Sequence, residues 1–113
     1  MSEIKYNSFD LLNFFESEPI KDEDDHDIFQ YNLKDQNNNH LVLKFSVFDL
    51  EASLEVHQKH LPNPILRACF TQVNQILVQK DHTLGDYMEI YEMNKEQPSA
   101  TVYLNPNLQI NLL

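Results

Sequence analysis

Glycine is almost absent: Gly85 is the single one in 113 residues. Loops that cradle phosphate need glycines where the backbone must approach the ligand, so P-loops and dinucleotide-binding turns are excluded. Cysteine is as scarce. Cys69 stands alone, so no intramolecular disulfide can form, and a reducing, cytoplasmic setting is expected. Only eight residues are Lys or Arg against 18 Asp and Glu, a formal net charge of −10. Nucleic-acid backbones are gripped by basic residues that displace counterions, so no nucleic-acid partner is expected, and no anionic membrane surface either. No stretch approaches the roughly 20 apolar residues of a membrane span. The amino end, MSEIKYNSFD, carries no apolar run, so no signal peptide is expected.

What is present describes a folding chain. Hydrophobic residues make up 42%, with seven Phe and five Tyr, whereas disordered chains lack the aromatic residues that offset ordering entropy. At 113 residues the chain fits one domain able to bury roughly two thirds of its unfolded surface. The acidity is uneven. ESEPIKDEDDHD, from Glu16 to Asp27, holds seven acidic residues and one lysine.

In FDLLNFFESE, Leu11 and Phe15 recur at helical spacing while Asp10, Asn13 and Ser17 share the opposite side. This predicts an amphipathic helix over residues 8–17, capped by Ser8 and stopped by Pro19, with the acidic stretch following as a loop over 18–27. From Ile28 the period becomes two. Phe29, Tyr31 and Leu33 alternate with polar residues, DQNNNH supplies a turn, and Leu41, Leu43, Phe45 and Val47 alternate again, which predicts a hairpin. Leu54 and Val56 make a third strand that LPNP ends. Residues 64–80 satisfy both periods. Leu66, Cys69, Phe70, Val73, Ile76 and Leu77 would form a helical stripe after Asn63 and Pro64, or the segment is two strands turning at Asn74. Strands suit the surrounding meander better, and the helix stays open. Gly85 turns the chain into a strand with Tyr87, Glu89, Tyr91 and Met93 on one face, and Asn105-Pro106-Asn107 divides a terminal hairpin whose inward set is Leu108, Ile110 and Leu112.

The expected fold is therefore α+β and β-rich. It is one domain over residues 1–113, an antiparallel meander of about six strands with a short N-terminal helix packed on it and mainly sheet from 28 to 113.

Chemistry-bearing groups are few. Glu55, His57 and His60 in EVHQKH have metal-ligand chemistry, but His60 falls past the strand end and no second pair completes a tetrahedral set. DEDDHD invites a calcium loop, yet counting from Asp22 puts Asp27 where the turn needs glycine and Leu33 where a bidentate Glu belongs. A solvated acidic loop is the simpler reading. Cys69 lies in an apolar run and reads as a small buried hydrophobe, and no pattern frames a nucleophile. No catalytic residue, metal or cofactor is expected.

Two features suit protein recognition. Glu16, Glu18, Asp22, Glu23, Asp24, Asp25 and Asp27 form an acidic prominence that would attract a basic partner. Tyr87, Glu89 and Tyr91 share a strand face, and tyrosine gives large contact area at low entropy cost. The expected function is a small acidic, non-catalytic binding protein, an inhibitor or immunity-type protein that occludes a basic toxin or nuclease. The alternatives are a homo-oligomeric module paired through an edge strand, with a homodimer as its simplest form, and a small metal-dependent hydrolase using Glu55, His57 and His60.

Overall fold

Residues 2–113 are described by a computed structural model in which the alternating segments become nine strands around one helix. Helix α1 (Ser8–Phe15) precedes β1 (Ile20–Lys21), β2 (Ile28–Lys34), β3 (Asn39–Ser46), β4 (Glu51–Gln58) and β5 (Leu66–Phe70). The chain continues with β6 (Val73–Gln79), β7 (Tyr87–Glu92), β8 (Ala100–Tyr103) and β9 (Gln109–Leu112). Each pairs antiparallel with its sequence neighbour, but not in a single sheet: β1 to β5 form one meander and β6 to β9 another. The division falls inside the segment whose period was ambiguous. Residues 64–80 are two strands, and they turn at Thr71 and Gln72, where Gln72 takes φ 54, instead of at Asn74, which lies within β6.

The inward faces meet in one core. Tyr31, Leu41, Leu43, Phe45, Leu54 and Phe70 come from the first sheet and Val73, Ile76, Met88, Ile90 and Val102 from the second, with Leu11, Phe14 and Phe15 of α1 against them. Aromatic rings run through it. Phe15 lies 5.2 Å from Tyr31, Tyr31 is stacked at 6.2 Å on Phe45, and Tyr6 meets Phe45 edge-on at 5.1 Å, contacts each worth about 0.5–1.5 kcal/mol beyond burial. Burial, with Tyr6 and the Glu18 charge nearby, pushes the Tyr31 phenol up to about 12.

The amino-terminal segment joins the two sheets. Ile4 N–H donates to Val47 O at 2.9 Å, just past β3. The next residue turns to the other sheet: Lys5 N–H donates to Asn74 O and Lys5 O accepts from Ile76 N–H, both at 2.9 Å. Ile4 is 2% exposed between them. Val73 N–H adds a second link to Leu50 O at 2.8 Å.

Several local expectations are corrected. Asn7, not Ser8, caps α1, its Oδ1 accepting from Asp10 N–H at 3.0 Å. The helix stops at Glu16, which takes left-handed φ 55 before Pro19 is reached, because acidic Glu16 and Glu18 sit at the negative end of the dipole with no basic residue in the last turn. Cys69 is exposed: strand alternation turns Ala68 and Phe70 inward and Cys69 out, opposite Ser53. Leu112 is 47% exposed on the edge strand β9, while Ile110 is half-buried. Gly85 meets its expectation as a turn, with φ 78, and the terminal hairpin packs so closely that a β-carbon there would lie 2.6 Å from Asn105 Nδ2.

Glu92 fastens two turns together. Its Oε1 accepts from the buried Ser99 hydroxyl at 2.6 Å and from Lys95 Nζ at 3.0 Å, and Oε2 accepts from Thr71 N–H at 3.1 Å. The Ser99 hydrogen bond leads in holding its carboxyl below the ordinary 4.5, partial burial opposing, with Lys95 and Thr71 adding to the depression.

Two outcomes follow for stability. Ile4→Ala should cost about 2–4 kcal/mol in urea unfolding, and a cost under about 1 kcal/mol would mean that the segment does not hold the sheets together. Glu92→Gln should cost about 1–2 kcal/mol at pH 7. Because the folded carboxyl is depressed, its contribution is full above the unfolded value of 4.5 and is lost as pH falls through the lower folded value. The wild-type advantage should therefore shrink below about pH 4.5, and a difference independent of pH would exclude the carboxylate as its source.

Candidate functional site

The acidic stretch is the tip of a hairpin. Ile20 and Lys21 pair with Gln30 and Phe29, and Asp22 N–H closes the turn on Ile28 O at 3.1 Å. The expected loop over 18–27 thus contains β1, two residues that are too short to show alternation. Within the turn, Asp22 Oδ1 accepts from the N–H groups of Asp24 and Asp25 at 2.9 and 3.1 Å, and Asp25 Oδ1 accepts from Asp27 N–H at 3.0 Å. These are Asx turns, in which the short carboxylate stands in for a backbone acceptor. The base is anchored as well. Val47 N–H donates to Asp27 O at 3.0 Å, and Ser17 Oγ donates to Asn32 O at 3.0 Å. Asp22 and Asp25 are thereby turned partly inward, Asp27 is half-buried, and Glu16, Glu18, Glu23 and Asp24 are exposed. An open groove of about 550 Å³ runs beside the hairpin, lined by Ile4, Tyr6, His26, Asp27, Phe29 and Phe48.

Tyr87, Glu89 and Tyr91 do share a face, the outward side of β7, because Met88 and Ile90 between them are fully buried. Register brings further residues to that side. Gln79 and Tyr103 flank Tyr87, Leu77 and Thr101 flank Glu89, and Gln109 follows Tyr103 across to β9. Glu89 is held at both oxygens: Gln79 Nε2 donates to Oε1 at 3.0 Å and Tyr91 Oη donates to Oε2 at 3.1 Å. The Tyr87 and Tyr103 rings lie 5.2 Å apart. Partial burial first, then the Glu89 charge for Tyr87 and its hydrogen bond for Tyr91, push both phenols above the ordinary 10, so both stay hydroxyl donors at neutral pH. Sequence periodicity finds Tyr87, Glu89 and Tyr91. Tyr103 and Gln79 depend on which strands pair and in what register, which periodicity does not carry.

The hairpin and the tyrosines lie on different sheets, so the two halves of the expected recognition surface are separate places. The outward face of the first sheet carries charges of both signs. Asn32, Val42, Glu55 and Arg67 form one cross-strand row, and Lys34, His40 and His57 the next. His57 Nε2 is 2.7 Å from Glu55 Oε1, and Arg67 Nε donates to Glu55 Oε2 at 3.1 Å. The His57 hydrogen bond leads in holding the Glu55 carboxyl below its usual range, burial opposing and Arg67 assisting. His60, with φ 79, sits in the turn beyond β4, so the candidate ligand set Glu55, His57 and His60 is not assembled. Instead His57 faces His40 across the strands, ring centroids 6.2 Å apart, and His40 Nε2 is 3.1 Å from Asn32 Oδ1. Among the described residues no group of three or more His, Cys, Asp or Glu is placed to hold a metal ion. No helix there is long and apolar enough to cross a membrane.

No family model and no curated protein matches the chain. Among solved structures it is similar to a chain of a contact-dependent growth inhibition toxin–immunity protein complex from Klebsiella pneumoniae 342, with a TM-score of 0.80 and 26% sequence identity over 98% of this chain and 96% of that one.

Proposed function

We propose that this chain is an immunity-type protein, a non-catalytic binding protein that occludes a toxin. The observation that carries this reading is the near full-length likeness to a chain of a toxin–immunity complex. Such a complex holds two kinds of protein, and charge favours one of them. A chain at −10 with eight basic residues suits the protein that covers a cationic surface better than one that must grip phosphate. The partner is then a basic protein, met in the cytoplasm, the compartment that a lone exposed cysteine suits.

Occlusion needs speed and then lifetime. Glu16, Glu18, Asp22, Glu23, Asp24, Asp25 and Asp27 supply the field that speeds encounter, an effect that decays over roughly 8 Å at physiological salt. The Asx turns hold the hairpin in shape before the partner arrives, so little ordering entropy is lost on contact. Contact residues such as Tyr87, Glu89 and Tyr91 would govern dissociation.

Co-expression tests the class directly. The product of the gene adjacent to this chain's own, expressed alone in a host that lacks this chain, should arrest growth, and this chain should restore it and co-purify at one to one. Persistent arrest together with no complex at low salt would remove the reading. A second measurement isolates the hairpin. Glu23→Gln with Asp24→Asn should lower the association rate about three- to tenfold at low salt, and the difference should vanish near 1 M salt with dissociation unchanged. Converting Asp22, Glu23, Asp24, Asp25 and Asp27 together to their amides should leave the thermal midpoint within a few degrees, because an Asn oxygen still accepts at positions 22 and 25.

A further inference from the structure

The two outward sheet faces divide the charge unequally. On β2 to β5 the outward residues include Lys34, Lys44 and Arg67 against Glu51 and Glu55, with His40 and His57 beside them and Glu55 already paired. On β6 to β9 the outward residues in register are Gln75, Leu77, Gln79, Tyr87, Glu89, Tyr91, Thr101, Tyr103, Gln109 and Asn111. Among these residues there is no lysine, arginine or histidine, and there is one carboxylate; exposed Lys5 lies at the edge, bridged to Gln75. A basic partner meets three cations on the first face and none among the β6 to β9 residues of the second.

The second face is built as a contact. Three tyrosines lie around a single acid, and the acid is fixed in place by Gln79 and Tyr91. A carboxylate oxygen offers about two acceptor positions, so with one taken on each, Glu89 keeps one on each for a planar, two-pronged donor. Guanidinium matches that geometry and stacks on aromatic rings, which an ammonium does less well. Four strands spaced about 4.8 Å apart, with six residues at about 3.3 Å each along β7, make a platform on the order of 300 Å². That is somewhat under half of the ~800 Å² that one side of a stable complex covers, the size of a well-packed centre within a larger rim.

We infer that the outward face of β6 to β9 is the surface on which the basic partner docks, with a partner arginine paired to Glu89 and packed among Tyr87, Tyr91 and Tyr103. This rests on the immunity-type reading. The acidic hairpin, on the other sheet, steers the encounter without forming the centre of the contact.

The test uses the full chain and the purified product of its adjacent gene, with dissociation constants measured at 150 mM salt. Glu89→Lys should weaken binding about 100-fold or more, and Tyr103→Ala about 10- to 50-fold. Tyr91→Phe keeps the ring and removes only the hydroxyl that fixes Glu89, and should weaken binding about three- to tenfold. Glu23→Gln with Asp24→Asn should stay within about threefold of wild type at that salt. Blocking the partner's arginines with phenylglyoxal should abolish the complex. Each variant is first matched to wild type by circular dichroism. Wild-type binding by folded Glu89→Lys and Tyr103→Ala would overturn the inference and leave the immunity-type reading standing, and an arginine-blocked partner that still binds would overturn the guanidinium assignment. Failure of the wild-type chain itself to bind would overturn both.

Discussion

The segment Ile4–Lys5 is the constraint on which the two-sheet arrangement depends. Each meander pairs only with itself, and each would present one wet face and one dry face if left alone. Closing the dry faces together needs a connection that satisfies backbone groups in both sheets, and one dipeptide does this by bonding first to Val47 and then to Asn74 and Ile76. Ile4 also fills the space it closes. The aromatic chain from Phe15 through Tyr31 and Phe45 to Tyr6 then crosses from the helix to that same segment, so packing and hydrogen bonding reinforce each other at one place.

How much of this was legible follows the range of the forces involved. Alternation from Phe29 to Leu33, from Leu41 to Val47 and through Leu54 and Val56 is a property of single strands, and it located β2, β3 and β4. Asp35 and the asparagines after it announced their turn, and Asp35 does accept from Asn37 and Asn39. Three things lay outside local pattern. Ile20–Lys21 is a strand only because Gln30 and Phe29 lie beside it. Cys69 sits in an apolar run but points outward, since strand geometry, not composition, sets its side. The split into two sheets at Gln72 is a decision of the whole core. Of the expected recognition residues, the acidic stretch and the tyrosine strand were visible as composition and as period. Their separation onto two sheets, and the company of Tyr103 and Gln79, are matters of register.

The shape of the acidic stretch changes what its charge can do. A free acidic loop would hold its carboxylates wherever mutual repulsion sent them. Here Asp22 and Asp25 spend their oxygens on the chain's own N–H groups, so the exposed Glu23 and Asp24 project from a defined turn. Repulsion inside the cluster is offset by backbone dipoles instead of by cations, which keeps the outward field strong.

The placement of the stitch also bears on how the chain is made. Every strand finds its partner in the segment just before or after it, so each hairpin can close locally. Ile4 and Lys5 are the exception: they leave the ribosome before Asn74 and Ile76 and must wait until those have been synthesised. Until then the apolar face of the first sheet lacks the cover that β6 to β9 give it. Maturation is therefore complete only when an earlier segment of the fold is captured by one made after it.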